Sequence, residues 1–181
     1  MNEIETMGTL ARLMDAINFS AQKHRVQRRK DAEGSAYINH PIAVASVLLL
    51  EAGIDDLVVL QAAILHDTVE DTQTSYEELV GRFGKDVADV VMELTDDKSL
   101  PKAERKLLQV THAHMKSSSA VMVKLADKTC NLRDIVDAPP AGWTVERKRE
   151  YFDWAKQVVD ALPVGSGPLR DAFNGAYSAR P

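Results

Sequence analysis

The stretch from Leu57 to Asp71 constrains this chain more than any other. Between Leu57 and Leu65 only Gln61 is polar, and Asp55 or Asp56 just ahead can serve as the N-cap. An all-round apolar run of this kind predicts a helix over Leu57 to about Val69 that is buried on every side. Such a helix has to be wrapped by others, and the rest of the chain supplies them. Leu10, Leu13, Met14, Ile17 and Ala21 recur at three- and four-residue steps, which predicts a helix over Leu10–His24. The charged run Arg25–Lys30 is expected to continue it, with a loop over Asp31–Ser35. Pro41 predicts a helix start running to Leu50, with Gly53 ending it. Ser75 with Glu78 reads as a capping box for a helix to Phe83. Gly84 separates that helix from another over Lys85–Leu94. Further helices are expected over Ala103–Met115, Ala120–Val136 and Val145–Leu162. The connections are a loop at Asp96–Lys102, a linker at Ser117–Ser119 and a stop at Pro139-Pro140. A turn from Pro163 precedes a short final helix. Strand signals are nearly absent, so the fold class is all-α, a helical bundle. The 181 residues fit one domain, with a core over about 10–162 and a tail over 163–181, and such a length buries roughly 70% of the unfolded surface.

Composition excludes several functions. A net charge of −5 does not hold long nucleic acid by bulk electrostatics. Cys130 is the only cysteine, which rules out an internal disulfide and a thiolate zinc cluster. Met1–Leu13 lacks the pattern of a signal peptide, and no apolar stretch approaches the ~20 residues that span a bilayer. A cytoplasmic protein away from membranes is the expectation; oligomeric state is left open.

The chemistry lies where the apolar helix ends. His66-Asp67-Thr68-Val69-Glu70-Asp71 puts ionisable groups at the end of the most apolar segment. Burying them without partners costs several kcal/mol each, and a bound cation would compensate them directly. Glu70 follows His66 by four residues and Asp71 follows Asp67 by four, so each pair shares a helix face. His40 precedes Pro41 at a predicted helix start. Asp127 sits in the apolar segment Val121–Asp127, with Asn131 one turn later. Each has a plainer explanation: a structural His–Asp pair, an ion-pair partner, a helix cap. Together, two imidazoles and two carboxylates suit manganese, iron or zinc, and a carboxylate beside such an ion that is not needed as a ligand is a candidate general base.

His40, His66-Asp67 and Asp127 resemble the H…HD…D signature of HD-domain phosphohydrolases. The segments His24–Lys30, Tyr37–Pro41, His66–Asp71 and Lys124–Lys128 resemble the hydrolase domain of the RelA/SpoT family, above all the stand-alone small alarmone hydrolases. The resemblance continues through Thr95–Lys98, Glu104–Lys106 and Gly142-Trp143 to Tyr151-Phe152, covering about Asn18–Leu162. It implies an all-helical HD fold and a Mn2+-dependent pyrophosphohydrolase that removes the 3′-pyrophosphate of ppGpp or pppGpp, giving GDP or GTP. It implies His40, His66, Asp67 and Asp127 as metal ligands, and Glu70 and Asp71 as the pair that positions and activates water. Arg29 and Lys30 are implied in the nucleotide pocket, Asn131 at the sugar or base, and Lys102, Arg147 and Tyr151 at the 5′-phosphate end. The long enzymes of the family carry a synthetase after this domain; a chain of this length is expected only to degrade.

Other residues have ordinary readings. Arg28–Lys30 as a run equally suits a solvated helix end. Trp143 is expected in the core, His24 as a packed helix histidine, and His112 and His114 as exposed loop residues. Cys130 replaces the histidine or tyrosine usual in the family before the asparagine. Three rival functions stand beside the main one: the same chemistry on ppApp-type nucleotides or the 2′-phosphate of NADPH, a non-catalytic nucleotide-binding module, and a generic HD nucleotidase acting on 5′-monophosphates.

Overall fold

A computed structural model describes residues 8–163 and 165–181. The turn expected from Pro163 includes Val164, which lies outside the described residues. In chain order the helices are α1 (Thr9–Lys23), α2 (Asn39–Ser46), α3 (Leu57–Leu65), α4 (Thr68–Asp71), α5 (Tyr76–Phe83), α6 (Lys85–Leu94), α7 (Lys102–Thr111), α8 (Ser118–Asp137), α9 (Val145–Ala161) and α10 (Pro168–Ser178). Among the described residues there is no strand, only an isolated antiparallel bridge between Arg28 and Ala36. No described helix is long and apolar enough to cross a membrane.

As its composition demands, α3 is central. Seven of its nine residues are buried, from Val59 to Leu65, and α1, α2, α6 and α8 pack around it. Its sole polar residue, Gln61, is satisfied on one side by donating to the Arg12 carbonyl oxygen at 3.0 Å. The caps form as the sequence requires: Asp56 accepts from the Val59 N–H and Ser75 from the Glu78 N–H. The second half of the box does not close, because the Glu78 carboxylate pairs with Lys23 at 2.8 Å. Gly84, at φ +90°, makes the sharp junction between α5 and α6.

Several boundaries differ from expectation, where side-chain and loop hydrogen bonds override the local pattern. The helix from Leu57 does not reach Val69; it breaks at His66-Asp67, with Asp67 at φ −97°, ψ −3°. His66 Nδ1 bonds the Ala63 carbonyl oxygen and Thr68 Oγ1 the Leu65 carbonyl oxygen, at 2.8 and 2.7 Å, taking up carbonyls of the final turn. Arg25–Lys30 does not continue α1, because the Arg29 N–H donates to Ser35 and the Tyr37 N–H to Gln27. These bonds fold the segment into a hairpin-like loop. The helix at Pro41 starts at Asn39 and passes into a π-helical turn over Val47–Glu51. Ser118 and Ser119 belong to α8, with Ser117 as N-cap accepting from Ala120. The segment after residue 162 is not a bystander to the core: α10 buries Leu169, Phe173 and Ala176, packed mainly on α8.

Candidate functional site

Four elements converge at one end of α3. His66 and Asp67 come from its broken end, His40 from the first turn of α2, Asp127 from the middle of α8, and Glu70 and Asp71 from α4. His40, His66 and Asp67 bring one ligand atom each to within 4.8 Å of one another. Asp127 adjoins them, its Oδ1 3.2 Å from His40 Nε2 and 3.8 Å from His66 Nε2.

Hydrogen bonding fixes how His66 faces this group. A carbonyl oxygen only accepts, so the bond to Ala63 puts the His66 hydrogen on Nδ1. The lone pair of Nε2 then points toward the carboxylates, 3.1 Å from Asp67 Oδ2, yet this buried nitrogen makes no aligned hydrogen bond. Acceptors facing acceptors in a buried place are stable only around a positive charge. A proton on Nε2 supplies such a charge, and so does a metal ion in its place. Burial disfavours charge on His66, but Asp67 and Asp127 outweigh it and lift the imidazole to about 9. Burial would likewise raise Asp127, yet Lys128 and the two histidines hold it well below the usual carboxylate range. These side chains fit a divalent cation.

Outer contacts hold the donors in place, as is usual around metal sites. Tyr37 donates its hydroxyl to Asp67 Oδ2 at 2.5 Å. Burial, then Asp67, pushes this phenol far above its ordinary range, so it stays a donor. Asn131 donates to Asp127 Oδ1 at 2.6 Å, and Lys128 reaches Oδ2 at 3.1 Å. Glu70 lies beside the ligand cluster without joining it: its Oε2 accepts the Asp96 N–H at 3.1 Å, and Arg105 lies 3.7 Å from Oε1. Burial first, then nearby acidic groups, holds its carboxyl above the ordinary glutamate range. Asp71 accepts from Gln27 at 2.9 Å and pairs with Lys98.

The site opens into a cavity of about 480 Å³. Lys98, Lys102, Arg105, Lys106, Lys124 and Lys128 line it, together with Arg29 and Lys30. A second cavity of about 450 Å³ adjoins it, sharing Arg29, Lys30, Lys102, Asn131 and Tyr151, and adds Ile135, Pro140 and Trp143. Both volumes suit small-molecule ligands.

Comparison with known proteins agrees with this arrangement. The family model described as HD domain matches residues 16–153. The human guanosine-3′,5′-bis(diphosphate) 3′-pyrophosphohydrolase MESH1 is 54% identical over 170 residues, covering 94% of this chain and 95% of the relative. The zebrafish (Danio rerio) protein of the same name is 57% identical over 168 residues, covering 93% of each. A solved structure of a metazoan orthologue of SpoT, described as hydrolysing ppGpp and acting in starvation responses, superposes with a TM-score of 0.90 at 48% identity, covering 94% of this chain and 96% of that one. The chain belongs to the HD-domain family.

Within this HD-domain site most sequence-predicted residues come together. His40, His66, Asp67 and Asp127 cluster, with Glu70 and Asp71 beside them. Arg29, Lys30, Lys102, Asn131 and Tyr151 line both cavities. Arg147 does not: it is exposed and lies over the Trp143 ring, 4.5 Å from its centroid. Trp143 itself is half-buried: it packs against the core and also lines the second cavity. His112 and His114 are exposed and do not belong to the ligand cluster. Sequence reasoning missed Tyr37 as the brace of Asp67, and of the cationic wall it named only Lys102. A signal for that wall was present. Lys102, Arg105, Lys106 and Gln109 fall at i, i+3, i+4 and i+7, one face of α7. Lys124 and Lys128 flank Asp127 in an otherwise apolar helix.

Proposed function

We propose that this chain is a divalent-metal-dependent hydrolase that removes pyrophosphate from the 3′ position of ppGpp and pppGpp, giving GDP and GTP. The observation that carries it is the orientation of His66, whose Nδ1 is held by the Ala63 carbonyl and whose Nε2 faces two carboxylates beside a cation-lined cavity. His40, His66, Asp67 and Asp127 would hold the ion, and two nitrogens with two carboxylates suit Mn2+. When bound, such an ion acidifies water and offsets charge on a phosphoryl oxygen. Glu70, with its raised carboxyl, takes a proton from the attacking water. Asp71, fixed by Gln27 and Lys98, orients that water. The new bond joins the water oxygen to the phosphorus on the 3′ oxygen. The bond to the 3′ oxygen breaks, and a proton ends there as a hydroxyl.

Arg29, Lys30 and Lys102 hold phosphate oxygens, Arg29 able to do so with two parallel bonds. Asn131 and Tyr151 position the nucleoside, with Trp143 as a stacking surface in the second cavity. Arg147 reaches the substrate only through Trp143. Ile135, Pro140 and Trp143 in that cavity accept any purine face, which keeps ppApp and the 2′-phosphate of NADPH as a second reading. The test is release of pyrophosphate from ppGpp with Mn2+, with EDTA as control and ppApp and NADPH in parallel. Metal-dependent release from ppGpp is expected. Turnover of ppApp or NADPH alone would move the substrate and keep the site.

A further inference from the structure

The end of α1 holds a buried histidine that none of these roles uses. His24 caps the helix, is 2% exposed and stacks on Tyr37 with ring centroids 4.8 Å apart. Its Nδ1 lies 2.7 Å from Gln27 Oε1, and Gln27 Nε2 donates to Asp71 Oδ2 at 2.9 Å. The directions of these bonds are forced. A carboxylate accepts and does not donate, so Gln27 turns its NH2 toward Asp71 and its oxygen toward His24. That oxygen also only accepts, so His24 carries its hydrogen on Nδ1. His24 Nε2 is buried without a partner, so no other contact competes for the tautomer.

We propose that His24 is a positioning residue for the hydrolysis: through Gln27 it sets the orientation of the Asp71 carboxylate. The proposal deepens the function above and rests on the role given there to Asp71. With the amide reversed, the Gln27 oxygen would face the carboxylate, a mismatch that no His24 tautomer repairs. The carboxylate therefore selects the amide orientation, and the His24 Nδ1–H anchors the Gln27 oxygen that keeps the NH2 on Asp71. The same ring packs on Tyr37, whose hydroxyl holds Asp67. His24 thus acts on the water-orienting carboxylate while touching neither substrate nor metal.

The experiment compares metal-loaded His24→Leu, His24→Asn and Gln27→Leu with the wild type on ppGpp, recording kcat, KM, Mn2+ affinity and melting for each. Asp71→Asn is assayed alongside. His24→Leu and Gln27→Leu are expected to lower kcat about tenfold or more, the scale of outer-contact losses, with KM and Mn2+ affinity little changed. His24→Asn, whose amide nitrogen takes the place of Nδ1, is expected to recover most of the rate. A folded His24→Leu with wild-type kcat overturns the proposal. Where His24→Leu does not fold, nitrogen-15 spectra of the wild-type protein decide: hydrogen on His24 Nδ1 supports it, and hydrogen on Nε2 alone overturns it. Wild-type turnover by Asp71→Asn would remove the role of Asp71 itself. An inactive Asp71→Asn beside a fully active His24→Leu would remove only His24.

Discussion

Tyr37 is the side chain whose role is easiest to isolate. It gives Asp67 its single strong hydrogen bond outside the cluster, and it presents only a hydroxyl and a ring. Tyr37→Phe keeps the ring under His24 and deletes the donor. Losses of this kind weaken metal affinity about 10–100-fold. We therefore expect Mn2+ titration of Tyr37→Phe to show weaker binding, with full turnover restored at high metal. Asp67→Ala, lacking the carboxylate itself, should not be rescued by metal; wild-type turnover there would remove Asp67 from the site. Glu70 behaves differently, because its contacts are the Asp96 N–H and Arg105 and not the ligand cluster. Glu70→Ala should bind Mn2+ as the wild type does and lose roughly 10²–10⁴ in kcat, the usual weight of a general base. Unchanged kcat would reject its part in water activation. Cys130 offers no chemistry at this scale: burial first, then Asp127 and Asp134, pushes its thiol up to about 12.

At the scale of elements, the sequence was most readable where local chemistry and tertiary demand agree. Asp56 and Ser75 cap the helices they precede, Gly84 turns where a positive φ is needed, and α3 is buried because nothing on it resists burial. It was least readable where long-range contacts decide. Apolar periodicity runs straight through His66-Asp67, and nothing local marks the break that aims both side chains into the site. The π-turn at Val47–Glu51 is equally silent in sequence, yet it leaves Glu51 where Arg133 of α8 holds it with two bonds, 2.6 and 2.8 Å. That guanidinium lowers the Glu51 carboxyl against a smaller opposing effect of burial. The sign follows from linkage: a depressed folded pKa adds stability above the unfolded value, near ~4.3, and loses it as pH falls through the folded value. Both side chains are more than a third exposed, so the contribution is at most about 1 kcal/mol. Glu51→Gln should lower the urea midpoint slightly at pH 7. The gap to the wild type should close in acid below the ordinary glutamate range. A gap that persists there would mean the pair does not act through charge.

On the scale of the whole molecule, an acidic protein carries a cation-lined cavity. The chain has a net charge of −5, while Lys98, Lys102, Arg105, Lys106, Lys124 and Lys128 all line one cavity. Local potential, not net charge, governs how a small anion is captured. The concentration of cations is assembled from α7, α8 and the loop before α7. Composition could not reveal it, though the spacing along α7 pointed to it. Its cost is visible in Lys124, which burial first, then Lys128, pulls down to about 8. A fold carries such strain where a polyanion is to be received. The nucleotide proposed here, with two diphosphates, is such a ligand. Capture through a focused field depends on screening, which reaches about 8 Å at physiological salt. We expect kcat/KM for ppGpp to fall steeply between 0.05 and 0.5 M salt, as about a few-fold to tenfold loss. kcat should change far less, because the buried donors around His66 are shielded from ions. Lys102→Ala, at the junction of the two cavities, should lower kcat/KM at low salt and flatten its salt dependence. Equal salt slopes for the variant and the wild type would show that this wall holds the helices together and does not draw in the substrate.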